Sequence, residues 1–271
     1  MKSFAVLTAT LLAGVTMTAS AEIFRFYGYA FDLESDRYLY TEVHEQEIVD
    51  DRWLRGTIRY FDPDGQLIGD KPLDFGANPY VPAFRLNLPG QDYVEGIREV
   101  GDRATLFRSR DGKSEEKRLK VSEQMAADSG FHALLRDNFE RLMAGENARF
   151  KLLVAGNLDA FSFRARKMGE TEVAGERAVH LRVEPDSLLR LLVDPLELFY
   201  APDERRLLEY RGISNIRDPR TGDPYHRDPR GVAPPGRRTA ATRGSLRPPG
   251  APRLDSLPAV PEGAAPTHEP R

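Results

Sequence analysis

The chain has 271 residues, 40% of them hydrophobic, no cysteine, and a formal charge of −3 from 39 basic and 42 acidic side chains. Disulfides and thiol chemistry are therefore excluded. So balanced a charge gives no electrostatic case for nucleic acid or an anionic membrane surface as partner.

The N-terminus reads first. Lys2, the apolar run from Phe4 to Val15 and the small tripeptide Ala19-Ser20-Ala21 have the order of a secretory signal peptide, with cleavage expected between Ala21 and Glu22. The apolar run falls short of the roughly 18 residues that a membrane span needs, so a periplasmic product, soluble after cleavage and without a transmembrane span, is expected. With no Cys after the cleavage site, no lipid anchor is expected either.

From Ile23 to Ile216 short strands alternate with turn residues at the spacing of an all-β barrel or sandwich. Ile23 to Phe31 and Tyr38 to Val49 flank a hairpin at residues 34–37. Trp53 to Phe61 runs into Asp62-Pro63-Asp64-Gly65, where Pro63 presets the first turn torsion and Gly65 accepts positive φ. Tyr93 to Val100, Ala104 to Arg110 and Ser114 to Val121 follow, the last two joined by Asp111-Gly112-Lys113.

One amphipathic helix is expected next. Asp128 or Ser129 can cap it, Phe131, Leu134, Leu135, Phe139, Leu142 and Met143 share a face, and Gly145 stops it. Strands resume at Ala148 to Val154, Ala160 to Lys167 and Arg177 to Glu184. A short apolar helix is expected from Asp186 through Leu188, Leu189, Leu191, Leu192 and Val193 to Pro195. Leu196 to Tyr200 and Arg206 to Ile216 form a last hairpin. The fold class is thus mainly β (α+β): a curved antiparallel sheet or half-barrel of about ten strands enclosing the amphipathic helix and the short apolar one.

The texture changes after His226. Residues 227–271 hold ten of the 20 prolines and no Phe, Tyr, Trp or Ile. Their eight Arg face only Asp228, Asp255, Glu262 and Glu269, a local +4, while the rest of the chain sets 31 basic against 38 acidic residues. Such a segment buries too little apolar surface to fold, so a disordered Pro/Arg-rich tail is expected. Arg outnumbers Lys 32 to 7 in the chain, as GC-rich codons dictate, and an out-of-frame reading of such DNA yields this same composition. The organisation expected is a signal peptide over 1–21, a single β-rich domain over 22–226, and over 227–271 either a genuine tail or a frameshift product.

The runs Phe26-Tyr27-Gly28-Tyr29-Ala30, Tyr38 to His44, Tyr60 to Gly65, Lys71 to Phe75 and Leu208 to Ile216 give the chain a likeness. Over most of residues 22–226 it resembles a family of exported Gram-negative proteins to which no activity is assigned. In layout, though in no motif, it is also similar to the LolA and LolB lipoprotein carriers, which implies an apolar ligand held by a curved sheet. The family-like sequence stops at His226, where a final strand would follow.

Chemistry is sparse. Glu42 and His44, two apart on a strand, share a face, with Glu45 and Glu47 on the other. A carboxylate beside an imidazole is the least that metal binding or proton transfer requires, yet His132, His180 and His226 are scattered and no zinc spacing occurs, so no metal and no cofactor are expected. Ser214 in Gly212-Ile213-Ser214-Asn215 lacks the second Gly of a nucleophile elbow and reads as a strand end. Phosphate loops are absent from the sequence, and no catalytic residue is assigned. Aromatic and leucine side chains remain as pocket candidates: Phe26, Tyr29, Tyr40, Phe131, Leu135, Phe139, Leu188 and Leu192. Both faces of the first strand are apolar or aromatic, so it is expected to be covered on both sides or to line a pocket. The leading expectation is a non-enzymatic binding protein for a lipid-like or apolar ligand. The alternatives are a structural or adaptor protein of the envelope without a small-molecule ligand, and a hydrolase.

Overall fold

The computed structural model describes residues 21–32, 37–50, 52–186, 194–216 and, as backbone alone, 237–241. The strands in chain order are β1 (Glu22–Asp32), β2 (Tyr38–Val49), β3 (Arg52–Phe61), β4 (Leu67–Asp74), β5 (Ala83–Leu88), β6 (Tyr93–Arg98), β7 (Arg103–Arg110), β8 (Lys113–Lys120), β9 (Met125–Ala127), β10 (Ala148–Val154), β11 (Asp159–Val173), β12 (Glu176–Pro185), β13 (Leu196–Ala201), β14 (Arg206–Gly212) and β15 (Arg237–Ala241). Between β9 and β10 lie the helices α1 (Gly130–Asp137) and α2 (Phe139–Met143). β1 to β8 form an eight-stranded antiparallel sheet in chain order; β9 to β14 form a six-stranded, curled half-barrel; β15 lies between β1 and β14 and joins the two.

The mainly β reading is correct, and the strand number is not: there are fifteen described strands where about ten were expected. β4 escapes the periodicity because Gly69, Asp70 and Pro72 interrupt it. Pro72 is tolerated there because the β4–β5 pairing, which includes Asp70↔Asn87 and Leu73↔Phe84, passes over residues 71 and 72. β11 outruns its expected end at Lys167 through a bulge at Met168, beyond which Gly169 pairs with His180. β9 has three residues and pairs parallel with β10, too short for any periodic signal. β15 falls inside the segment read as a strandless tail. Two flanking strands offer it complete backbone ladders, which asks little of its side chains.

The expected turns are present. Asp62 Oδ1 accepts from the backbone N–H groups of Asp64 (3.0 Å) and Gln66 (2.8 Å), and Gly65 has φ +80. Asp111 and Gly112 both take positive φ between Arg110 and its partner Lys113, the geometry a two-residue hairpin demands.

The amphipathic helix is broken in two. The Asn138 amide donates to Leu134 O at 2.9 Å, a local bond that competes with helix continuation. Neither candidate cap acts through its side chain: Ser129 occupies the N-cap position without a capping bond, and the Asp128 carboxylate is engaged elsewhere. Gly145, at φ +85, does end the helical segment. Phe131, Leu134, Leu135, Phe139 and Leu142 bury against Phe150, Leu181, Leu198 and Tyr200 of the half-barrel, forming one core cluster. A second cluster, on the inner face of the eight-stranded sheet, contains Tyr40, Ile58, Tyr60, Leu86, Leu88, Ile97 and Leu106, and it reaches Met125, Ala127 and Leu153 of the half-barrel. β1 is covered on both faces only in its middle, where Tyr29 is 5% and its neighbour Ala30 0% exposed; towards its start the expectation fails, with Ile23 71% exposed.

Among the described residues no helix is long and apolar enough to cross a membrane. The expected signal peptide up to residue 20, the apolar helix expected over 187–193, and the segments 217–236 and 242–271 lie outside the described residues. The expected cleavage point falls at the start of β1, which begins at Glu22.

Candidate functional site

Register determines which side chains share the inner face of the eight-stranded sheet. Phe26 pairs with His44, His44 with Ile58 and Ile58 with Lys71; one step along, Gly28 pairs with Glu42, Glu42 with Tyr60 and Tyr60 with Gly69. Since Tyr40, Ile58 and Tyr60 lie in the core, Glu42, His44 and Lys71 point inward with them. Further along the same face, Glu95 accepts a hydrogen bond from the Tyr93 hydroxyl at 2.6 Å. Charged and polar groups thus form a stripe across an otherwise apolar wall.

The stripe meets the junction of β9 and α1. The Lys71 ammonium donates to both Asp128 oxygens, at 2.8 and 2.9 Å, with the side chains only 5% and 9% exposed. Asp128 also accepts from the Ser129 N–H (2.6 Å) and hydroxyl (2.8 Å), and Asn215 approaches at 3.4 Å. Burial pushes the Asp128 carboxyl up, and the Lys71 charge and these bonds outweigh it, leaving it below the ordinary range. The junction is tight: a Cβ on Gly130 would sit 2.1 Å from the Tyr80 carbonyl oxygen. Such a pair fixes where the helices meet the sheet, since either ion left alone would be a buried unpaired charge.

Beside it sits the Glu42–His44 dyad, with His44 Nε2 2.9 Å from Glu42 Oε2 and the imidazole stacked on the Phe26 ring at 4.3 Å between centroids. The shared face expected from the two-residue spacing is therefore real, and the face is the half-buried inner one rather than a solvated exterior. His44 Nδ1 is buried with no hydrogen-bond partner. Tyr60, 2% exposed, has no hydrogen-bond partner for its hydroxyl among the described residues. Burial, then the charges of Glu42 and Asp128, hold that phenol well above its usual range, so it stays a neutral donor. Leaving a buried acceptor such as His44 Nδ1 unmet costs about 1–3 kcal/mol.

Other polar groups nearby are satisfied. The Tyr40 hydroxyl and Ser214 Oγ are 2.8 Å apart, and Ser214 accepts from the Ile216 N–H at 3.1 Å. Ser214 is thus bonded to a phenol and a backbone amide and to no histidine, unlike an activated nucleophile. On the half-barrel side, His132 Nδ1 lies 2.6 Å from the Tyr200 hydroxyl, and burial lowers its pKa to about 3. No group of three or more His, Asp or Glu among the described residues is placed to hold a metal ion.

The pocket candidates separate. Phe26 and Tyr40 lie on the inner face of the eight-stranded sheet with the polar stripe, whereas Tyr29 lies on the opposite face of β1. Phe131, Leu135 and Phe139 belong to the half-barrel core. Leu188 and Leu192 lie outside the described residues. Sequence reasoning missed Lys71, Asp128 and Tyr60 as members of one site. A lysine inside an alternating strand and an acid just before a helix were the available signals, 57 residues apart.

An open groove over β5 to β8 is lined by charges paired with one another, as in Arg98–Glu116 at 2.6 Å and Arg108–Glu115 at 2.7 Å. Comparison with family models, curated proteins and solved structures finds no match to this chain.

Proposed function

We propose that this is an exported, non-enzymatic binding protein for a lipid-like or apolar ligand, working in the periplasm. One observation carries the reading: on the inner face of the eight-stranded sheet, a half-buried Phe26 stacks on His44, whose buried Nδ1 has no hydrogen-bond partner among the described residues. Sites for small molecules combine apolar walls with a few placed polar groups in this way. The likeness in layout to lipoprotein carriers supports it by analogy alone.

Native mass spectrometry of protein purified from its own envelope tests it. The expected spectrum contains an added apolar molecule on the folded chain, released by organic solvent and diminished by Phe26→Ala. A bare chain under conditions that preserve non-covalent lipid complexes would count against the proposal.

A further inference from the structure

We propose that the ligand carries an uncharged polar head that both donates and accepts a hydrogen bond, a hydroxyl or a carboxamide on an apolar chain, in preference to a carboxylate or phosphate head. This rests on the ligand-binding reading above and names the chemistry of the same site.

The site offers one donor and one acceptor. Tyr60 is buried on the inner face opposite Glu42, and its hydroxyl has no hydrogen-bond partner among the described residues. Glu42 is an acceptor, so the ring nitrogen facing it, Nε2, carries the hydrogen; in the neutral ring Nδ1 is then left with a lone pair and nothing to receive. His44 and Tyr60 are diagonal neighbours across the β2–β3 pair, since His44 pairs with Ile58 and Glu42 with Tyr60, which places the two unmet groups within the reach of one small head.

Charge then selects among heads. Lys71 already holds both oxygens of Asp128, while among the described residues Glu42 has the His44 imidazole as its hydrogen-bond partner. A carboxylate or phosphate would meet Glu42 as a like charge and, being fully ionised, would have no hydrogen to give Nδ1. A hydroxyl or primary amide satisfies both groups and adds no charge. A site built to hydrogen-bond a group rejects analogues that leave its own polar atoms unpaired.

Isothermal titration of the purified full chain with four probes, monolaurin, lauramide, laurate and dodecyl phosphate, is the test. Monolaurin and lauramide should bind at least about tenfold more tightly than the two anions. Tyr60→Phe, which preserves the ring, should weaken monolaurin about tenfold and leave laurate unchanged, and Glu42→Gln should narrow the gap between neutral and anionic probes. Circular dichroism of each variant confirms that the fold persists. Equal binding of all four probes, or a preference for laurate, overturns the headgroup assignment while the ligand-binding reading stands. If none of the four binds, both fall.

Discussion

The two halves of the sheet obey the same in-and-out alternation and both pair charges on the outside, but the eight-stranded sheet also buries ions on its inner face. In the half-barrel, Ala165, Leu181, Val183 and Leu198 point into the core, and their neighbours pair on the outside: Glu184 with Arg164 (2.7 Å) and Arg166 (3.2 Å), Glu197 with His180 (2.5 Å) and Arg182 (2.7 Å). Phe199 is stacked on His180 and lies under the Arg211 guanidinium, so even an outward aromatic is sheltered. In the eight-stranded sheet the ions go inward, as Glu42, His44, Lys71 and Glu95. Outward ion pairs cost little and contribute little, whereas inward ones carry a desolvation penalty that only close, well-bonded partners offset. The half-barrel packs the helices, and the eight-stranded sheet buries ions.

The largest effect should come from breaking the inward pair. Lys71→Met leaves Asp128 buried and uncompensated, and urea unfolding should show a loss of about 3–5 kcal/mol. A loss below about 1 kcal/mol would place the pair with the exterior ones. Gly130→Ala acts on the junction that carries Asp128 by forcing a methyl against the Tyr80 carbonyl, and thermal melts should register about 1–3 kcal/mol of destabilisation.

A pH titration sharpens the contrast further. His132 is held neutral by burial, with a folded pKa of about 3, while the unfolded chain protonates near the ordinary value of about 6.5. Between these values the unfolded state binds more protons, so stability should fall as pH drops from about 6.5 toward 3, by at most about 1.4 kcal/mol per unit. His132→Gln should flatten that slope. Asp128 has the opposite chemistry and the same direction: its folded pKa is depressed, so its contribution is present above about 3.9 and lost as pH falls through the folded value. The smallest effect belongs to the outer ladder, where Glu197→Gln should change unfolding free energy by less than about 1 kcal/mol and become still harder to detect in high salt.

Much of this contrast was legible in the chain, and the rest was hidden for reasons of distance. Val179, Leu181 and Val183 announce an amphipathic strand by period alone, and Asp62 to Gly65 specify a turn through local chemistry. The shared face of Glu42 and His44 follows from their spacing; its being the inner face does not, because that depends on what packs above it. Tyr60 and Lys71 become neighbours of the dyad only through two successive hairpins, and Asp128 reaches Lys71 only after the sheet turns into the half-barrel. β4 and β5 were masked by Gly69, Pro72 and Pro82, residues whose usual meaning is a break. β15 had no side-chain pattern to read, since its place is secured by ladders on either side.

A ligand head bound on the inner stripe of the eight-stranded sheet, as proposed, would meet the buried His44 Nδ1. Nitrogen-detected NMR of imidazole-labelled protein measures this at His44. Addition of monolaurin should move the His44 Nδ1 resonance toward that of a hydrogen-bonded acceptor, with His132 and His180 unmoved and the response displaced to about tenfold higher concentration in Tyr60→Phe. Saturating monolaurin that leaves the His44 nitrogens where they were, while the other histidines report binding elsewhere, would contradict the account.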